Sequence, residues 1–117
     1  MGTDQQTATA DVAGVLAQMH VLLWQASTEA AARASADRTL EAADLANDLT
    51  YACDQVFHLV PVDHRALLLG LPAVPASDPV QLARAAEQLA HTLPDPAWPP
   101  GLELVVRLLK DTLSRVS

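Results

Sequence analysis

The residues of this 117-residue chain that could bind a metal ion lie in and just after one helical segment. Asp54 and His58 are four positions apart, which places both side chains on one face of a helix. Asp63 and His64 follow beyond Pro61, close enough in sequence to fold back toward that pair. Mixed carboxylate and imidazole ligands suit zinc or iron, so these four residues form a candidate metal site. A histidine that interacts with the dipole at a helix C-terminus explains the same pattern. We expect this second explanation to hold, and we expect no cofactor.

A reactive nucleophile and a phosphate-binding loop are the other features that would indicate catalysis. The single cysteine, Cys53, lies among apolar positions next to Ala52 and Val56, where a thiol packs as a small hydrophobic group. The four glycines stand at positions 2, 14, 70 and 101, and this scatter excludes a glycine-rich phosphate loop. We therefore assign no catalytic residue and expect a protein that acts without catalysis.

His91 stands in a short motif with a known counterpart. Residues 89–93, with the sequence LAHTL, resemble the histidine motif of histidine phosphotransfer domains, which are acidic four-helix bundles of about this length. The resemblance implies an exposed His91 that accepts a phosphoryl group. Pro94 and Asp95 stand where that family has lysine and glycine, so the cation beside the phosphoryl group is missing and the helix stops early. A degenerate phosphotransfer domain is therefore one alternative function.

Composition and charge exclude several classes of protein. Half of the residues are apolar and 18% are charged, as in globular chains, but only 3% are aromatic, which predicts an aliphatic core. The formal net charge of −7 would be repelled by phosphates, so we expect no nucleic-acid partner. Apolar runs are too short for a membrane span, and the first residues lack a signal-peptide pattern. With a lone cysteine as well, the sequence predicts a soluble cytoplasmic protein with no membrane partner.

Apolar residues recur at helical spacing in four stretches, and no stretch shows the alternation of a β-strand. The first helix is predicted to begin near Thr7 or Asp11 and to extend to about residue 34. Asp37 is predicted to cap the second helix, which Pro61 ends. The inward positions of the second helix follow the three-and-four spacing of a bundle seam: Ala42, Leu45, Leu49, Ala52, Val56 and Leu59.

The third helix has the clearest start signal in the chain. Asp78 is a capping residue, Pro79 suits the first helical position, and Gln81 follows three residues after the cap. The fourth helix is predicted from about Gly101 to Val116.

The predicted fold is all-α: an antiparallel four-helix bundle with a short extra helix in the 61–77 connection. Residues 9–117 are predicted to form this single domain, after a flexible N-terminus at residues 1–8.

Without catalytic groups, function is predicted to depend on surfaces. His20 and Trp24 lie four apart beside the apolar face of the first helix, and tryptophan is enriched at interfaces. A leucine cluster in the 61–77 connection either plugs the bundle or meets another chain. Three acidic residues line one side of the second helix, with no basic residue spaced to neutralise them. The predicted contact residues are Trp24, Leu67, Leu68, Leu71 and Trp98, with Glu41, Asp44 and Asp48 as a polar rim.

These observations predict a small non-catalytic interaction or regulatory module that acts through apolar surface. Its expected partner is a protein, a second copy of the chain in a homodimer, or both. The alternative class is a bundle that binds a small molecule or a metal in its interior, including a small enzyme.

Overall fold

The protein is all-α in the part of the chain that the structure describes, as predicted. A computed structural model describes the backbone of residues 2–66, 68, 78–94 and 98–116, and side chains from residue 12 onward within these ranges. The α-helices of these ranges are α1 (Gly2–Asp37), α2 (Leu40–Leu59), α3 (Pro79–Ala90) and α4 (Leu102–Val116). Strands do not occur in the described ranges.

The four helices pack as a bundle around an aliphatic core. Helix α1 packs against α2 and α3, and α4 packs against the same two helices, so α1 and α4 occupy diagonal corners. The largest fully buried aliphatic side chains come from all four helices: Leu16, Met19, Leu23, Leu49, Leu82, Leu102 and Leu109. Although α1 is 36 residues long, neither it nor any other described helix is both long and apolar enough to cross a membrane.

Helices α1 and α2 form an antiparallel hairpin with a short turn. Helix α1 ends at Asp37, and Arg38 adopts a positive φ of 56° while its backbone N–H donates to the Ala34 carbonyl (2.9 Å). The side chain of Thr39 then accepts a hydrogen bond from the Ala42 N–H (3.2 Å). The prediction that Asp37 caps α2 is therefore wrong, because the left-handed residue 38 brings Thr39, the next capping residue, to the N-cap position.

The connection between α2 and α3 is described only in part. A short 3₁₀ helix, Val62–His64, follows α2, and the backbone N–H of Leu68 donates to the Arg65 carbonyl (3.1 Å). The predicted extra helix corresponds here to this short turn, and residues 67 and 69–77 lie outside the described residues.

The starts of α3 and α4 depend on specific residue types. Asp78 caps α3 by accepting a hydrogen bond from the Val80 N–H (2.9 Å), with Pro79 in the first turn, as predicted. Gly101 precedes α4 with a φ of +100°, and a Cβ at this position would lie 3.1 Å from Leu59 Cδ2. A glycine therefore lets the end of α2 pack closely against the start of α4.

Candidate functional site

An open groove on the outer side of the α1–α2 hairpin collects three of the four aromatic side chains of the chain (two Trp, one Tyr, one Phe). Trp24 on α1 and Tyr51 on α2 remain 60% and 59% exposed, and Phe57 is half-buried. The groove has a volume of about 560 Å³. We call it the aromatic groove; its lining residues are His20, Trp24, Ser27, Asn47, Thr50, Tyr51, Cys53, Asp54 and Phe57.

The groove exists because each hairpin helix carries a second stripe beside its core stripe. On α1, His20, Trp24 and Ser27 are four and three residues apart, so they share a face that adjoins the buried aliphatic one. Across the groove, the His20 and Phe57 rings lie 5.5 Å apart between centroids. The guanidinium carbon of Arg65 lies 4.5 Å from the centroid of the Phe57 ring, in a cation–π contact.

The floor of the groove is polar but uncharged. Burial lowers the pKa of His20, which favours its neutral imidazole, and its buried Nδ1 has no hydrogen-bond partner among the described residues. Burial, and then the charge of Asp54, raise the pKa of the Cys53 thiol to about 11. The thiol, whose Sγ lies 3.8 Å from the His20 carbonyl oxygen, is therefore protonated near neutral pH and unreactive.

The hairpin around the groove is acidic. Residues 12–32 and 40–59 contain no lysine or arginine. Their carboxylates are Glu29, Glu41, Asp44, Asp48 and Asp54. Asp54 lines the groove itself, and its Oδ2 lies 3.8 Å from Nε2 of the exposed His58. Glu41, Asp44 and Asp48 line a different cleft, so Asp54 is the carboxylate that a ligand of the groove meets directly.

Trp98, the other predicted contact tryptophan, has a different environment from Trp24. It is half-buried against the core, and its Nε1–H donates to the Leu93 carbonyl (3.0 Å). Its ring also contacts the His91 ring, with 5.6 Å between centroids. The predicted contact residues thus do not form one surface: Trp24 lies in the groove, and Trp98 packs at the connection between α3 and α4.

The leucine cluster of the 61–77 connection is mostly outside the described residues. Leu68 is half-buried, whereas Leu67 and Leu71 fall outside the part of the chain that the structure describes. The contact role predicted for these three leucines stays a prediction.

The acidic stripe of α2 is partly neutralised from another helix. Glu41 and Asp44 are exposed, but Asp48 forms an ion pair with Arg115 of α4 and accepts a hydrogen bond from Thr112 (3.5 Å). Arg115 lies 67 positions from Asp48, so the spacing of residues along α2 could not predict this ion pair. The stripe lines a cleft of about 340 Å³ between α2 and α4.

The four candidate metal ligands do not converge. Asp54 and His58 form an exposed i, i+4 pair, as their spacing predicts, while Asp63 and His64 belong to the separate 3₁₀ helix. Among the described residues, no group of three or more His, Cys, Asp and Glu side chains could hold a metal ion.

His91, the candidate phosphorylation site, is the C-cap residue of α3 and is exposed. Its Nε2 lies 3.7 Å from the carboxylate of Glu87. A carboxylate so close to the imidazole repels a phosphoryl group, so this setting adds nothing in favour of phosphotransfer.

Comparisons with models of known protein families, with curated proteins and with solved structures found no match to this chain. Of the groove residues, His20 and Trp24 are recognisable from the sequence, whereas Tyr51 and Phe57 are not. These two become recognisable only once α2 is aligned antiparallel to α1, because they then face His20 and Trp24 across the groove.

Proposed function

We propose that this protein is a non-catalytic interaction module that binds a protein partner through the aromatic groove. The observation that carries the proposal is the pair of exposed aromatic side chains, Trp24 and Tyr51, on opposite walls of a preformed groove. Tryptophan and tyrosine dominate the binding energy of protein interfaces, because they bury a large area with few rotatable bonds. Neither aromatic ring is buried enough to explain its presence by a contribution to the core.

The chemistry of the groove supports binding and not reaction. The Cys53 thiol is protonated, and its neighbour His20 favours the neutral form. A protein that binds without reacting acts by changing what its partner can contact, which is a regulatory role. We place it in the cytoplasm as part of the proposal, because a lone cysteine that forms no disulfide suits a reducing compartment.

A peptide selection tests the proposed function. A display library of random peptides about 16 residues long, which span about 24 Å as a helix, is selected on the wild-type protein. The affinities of the enriched peptides are then measured for the wild-type protein and for the variants Trp24→Ser and Tyr51→Ser. The matched control is Leu104→Ser, which removes a leucine that is 66% exposed on α4 and does not line the groove.

We expect the enriched peptides to lose at least about tenfold in affinity with each groove variant, which is about 1.4 kcal/mol, and to bind the control like wild type. Peptides that bind all four proteins equally would show that the groove is not the binding site. Circular dichroism confirms that each variant remains folded.

Native mass spectrometry tests the homodimer and the interior ligand, which are separate predictions. A mass of twice 12.4 kDa supports a homodimer, and a mass of 12.4 kDa at all concentrations contradicts it. A reproducible adduct on the folded protein would instead favour the small-molecule or metal-binding class.

A further inference from the structure

We propose that the occupant of the aromatic groove is a single amphipathic helix of a partner protein, with lysine or arginine flanking its apolar face. This inference rests on the proposed function and specifies the kind of partner.

The shape of the groove favours a helix. Its walls are two antiparallel helices, whose lining residues span 20–27 on α1 and 47–57 on α2. At 1.5 Å per residue these spans are about 10 and 15 Å, or two to three helical turns. A third helix fits between two helices by packing side chains at i, i+3 or i+4 and i+7 into the groove. An added β-strand would need unpaired backbone groups, which the interior of a helix does not offer.

The aromatic lining of the groove favours a partner helix that carries a cation beside its apolar face. Trp24 and Tyr51 present exposed ring surface, which attracts both aliphatic side chains and Lys or Arg groups. The protein already contains this arrangement, because Arg65 lies over Phe57 at the groove. A flanking lysine or arginine of the partner helix would repeat that contact on Trp24 or Tyr51.

The charge around the groove favours a basic partner over a second copy of this chain. The charged side chain among the residues that line the groove is the carboxylate of Asp54, and the chain as a whole has a formal net charge of −7. Two such grooves face to face would repel each other. The basic side chains of α4 are also partly engaged, because Arg107 pairs with Glu103 at 3.3 Å and Arg115 pairs with Asp48.

A matched series of synthetic peptides tests the inference. The series has four peptides of about 16 residues, each with the same number of leucines. Three of them place the leucines at helical spacing and differ only in the flanking residues, which are Lys, Gln or Glu. The fourth has the composition of the Lys peptide in a scrambled order. Each is titrated into isotope-labelled protein, and the two indole N–H signals are followed by NMR. Trp98 is the internal control, because its N–H is bonded to Leu93 away from the groove.

We expect the helical Lys peptide to shift the Trp24 signal and leave the Trp98 signal in place. Its affinity should exceed that of the Glu peptide by at least about tenfold, with the Gln peptide between them. The difference should shrink as salt rises from about 0.05 to about 0.5 M, because exposed charges are screened. In the Trp24→Ser variant, the difference in affinity between the Lys and Glu peptides should disappear.

The contrary outcomes separate the two proposals. Equal affinity for the Lys, Gln and Glu peptides overturns the basic partner and leaves the groove function intact. Equal affinity for the scrambled peptide overturns the helix. A Trp24 signal that shifts with protein concentration alone identifies a second copy as the occupant and also overturns the inference. If no peptide moves the Trp24 signal and the library selection yields no groove-dependent binder, the proposed function itself fails.

Discussion

The protein places its two tryptophans in opposite environments. Trp98 is half-buried against the core and donates its indole N–H to the Leu93 carbonyl, whereas Trp24 leaves 60% of its surface exposed on the wall of the aromatic groove. Trp98 gains buried area and a satisfied donor on folding, so stability accounts for it. Trp24 gains far less on folding, so stability does not account for it, and we propose that a partner covers it.

Helix α2 shows the same contrast within a single element. Leu49 is fully buried on the inner side, and two residues later Tyr51 points outward with 59% exposure. The inner stripe of α2 is aliphatic and holds the bundle together, while the outer stripe brings aromatic and polar side chains to the groove. The contrast between the stabilising side and the proposed binding side of the hairpin is open to direct measurement.

The largest expected effect is a difference in the free energy of unfolding between variants on the two sides of α2. Leu49→Ala should lower the free energy of unfolding by about 3 kcal/mol, because a fully buried leucine loses its contacts and leaves a cavity. Tyr51→Ala should change it by less than about 0.5 kcal/mol, because the exposed ring contributes little to the fold. Urea denaturation of both variants measures the difference. A Tyr51→Ala loss as large as that of Leu49→Ala would make the groove part of the folding core.

The two tryptophans give the next largest effect. Trp98→Ala should cost about 2 kcal/mol, through lost buried area and the loss of its hydrogen bond to Leu93. Trp98→Phe should retain most of the buried area and cost about 1 kcal/mol. Trp24→Ala should cost less than about 0.5 kcal/mol in the same denaturation experiment. If the two alanine variants prove equally destabilising, the assignment of Trp24 to binding loses its basis.

Local signals in the sequence located the four helices, but they placed the start of the first helix near Thr7 or Asp11, whereas α1 begins at Gly2. Asp78 and Pro79 mark the start of α3 without help from the rest of the chain, and the aliphatic spacing of α2 identifies its inward face. The prediction that Asp37 caps α2 was wrong because Asp37 and Thr39 are both suitable capping residues. The backbone conformation of Arg38 decides between them. That conformation depends on how the hairpin packs.

The groove could be predicted only in part, because it depends on contacts between distant residues. Trp24 and His20 stand out on α1 alone, but the opposing Tyr51 and Phe57 require the register of α2 against α1. The ion pair between Asp48 and Arg115 is a second example, since 67 positions separate its members. Helical spacing describes one helix at a time and contains no such register.

The turn of the hairpin, which positions the two walls of the groove, is expected to contribute less to the free energy of unfolding. Thr39→Ala should cost about 1 kcal/mol, because the side chain caps α2 by accepting from the Ala42 N–H. Asp37→Ala should leave the free energy of unfolding unchanged within about 0.5 kcal/mol, because Asp37 is exposed and is not the capping residue. The reverse order in thermal or urea denaturation would restore Asp37 as the cap.

The smallest expected effect is a pH dependence that originates at the groove. Burial lowers the pKa of His20 from its usual 6.5. As the pH falls through about 6.5, the unfolded chain takes up a proton at this imidazole before the folded chain does, so the free energy of unfolding falls with it. His20→Gln should therefore flatten this decline, as measured by urea denaturation at a series of pH values.

The protonation of His20 also distinguishes a groove that is open to solvent from one that a partner covers. An occupant buries His20 further, so the protonated form becomes still less favourable and helix binding should weaken as the pH falls below about 6.5. Cys53, the neighbouring thiol, stays neutral throughout because its pKa is about 11. Isothermal titration of the Gln-flanked peptide measures this dependence without a charge change on the ligand. An affinity that is flat with pH for the wild type and for His20→Gln alike would mean that the occupant does not cover His20, and the docked helix would then lie nearer Trp24 and Tyr51.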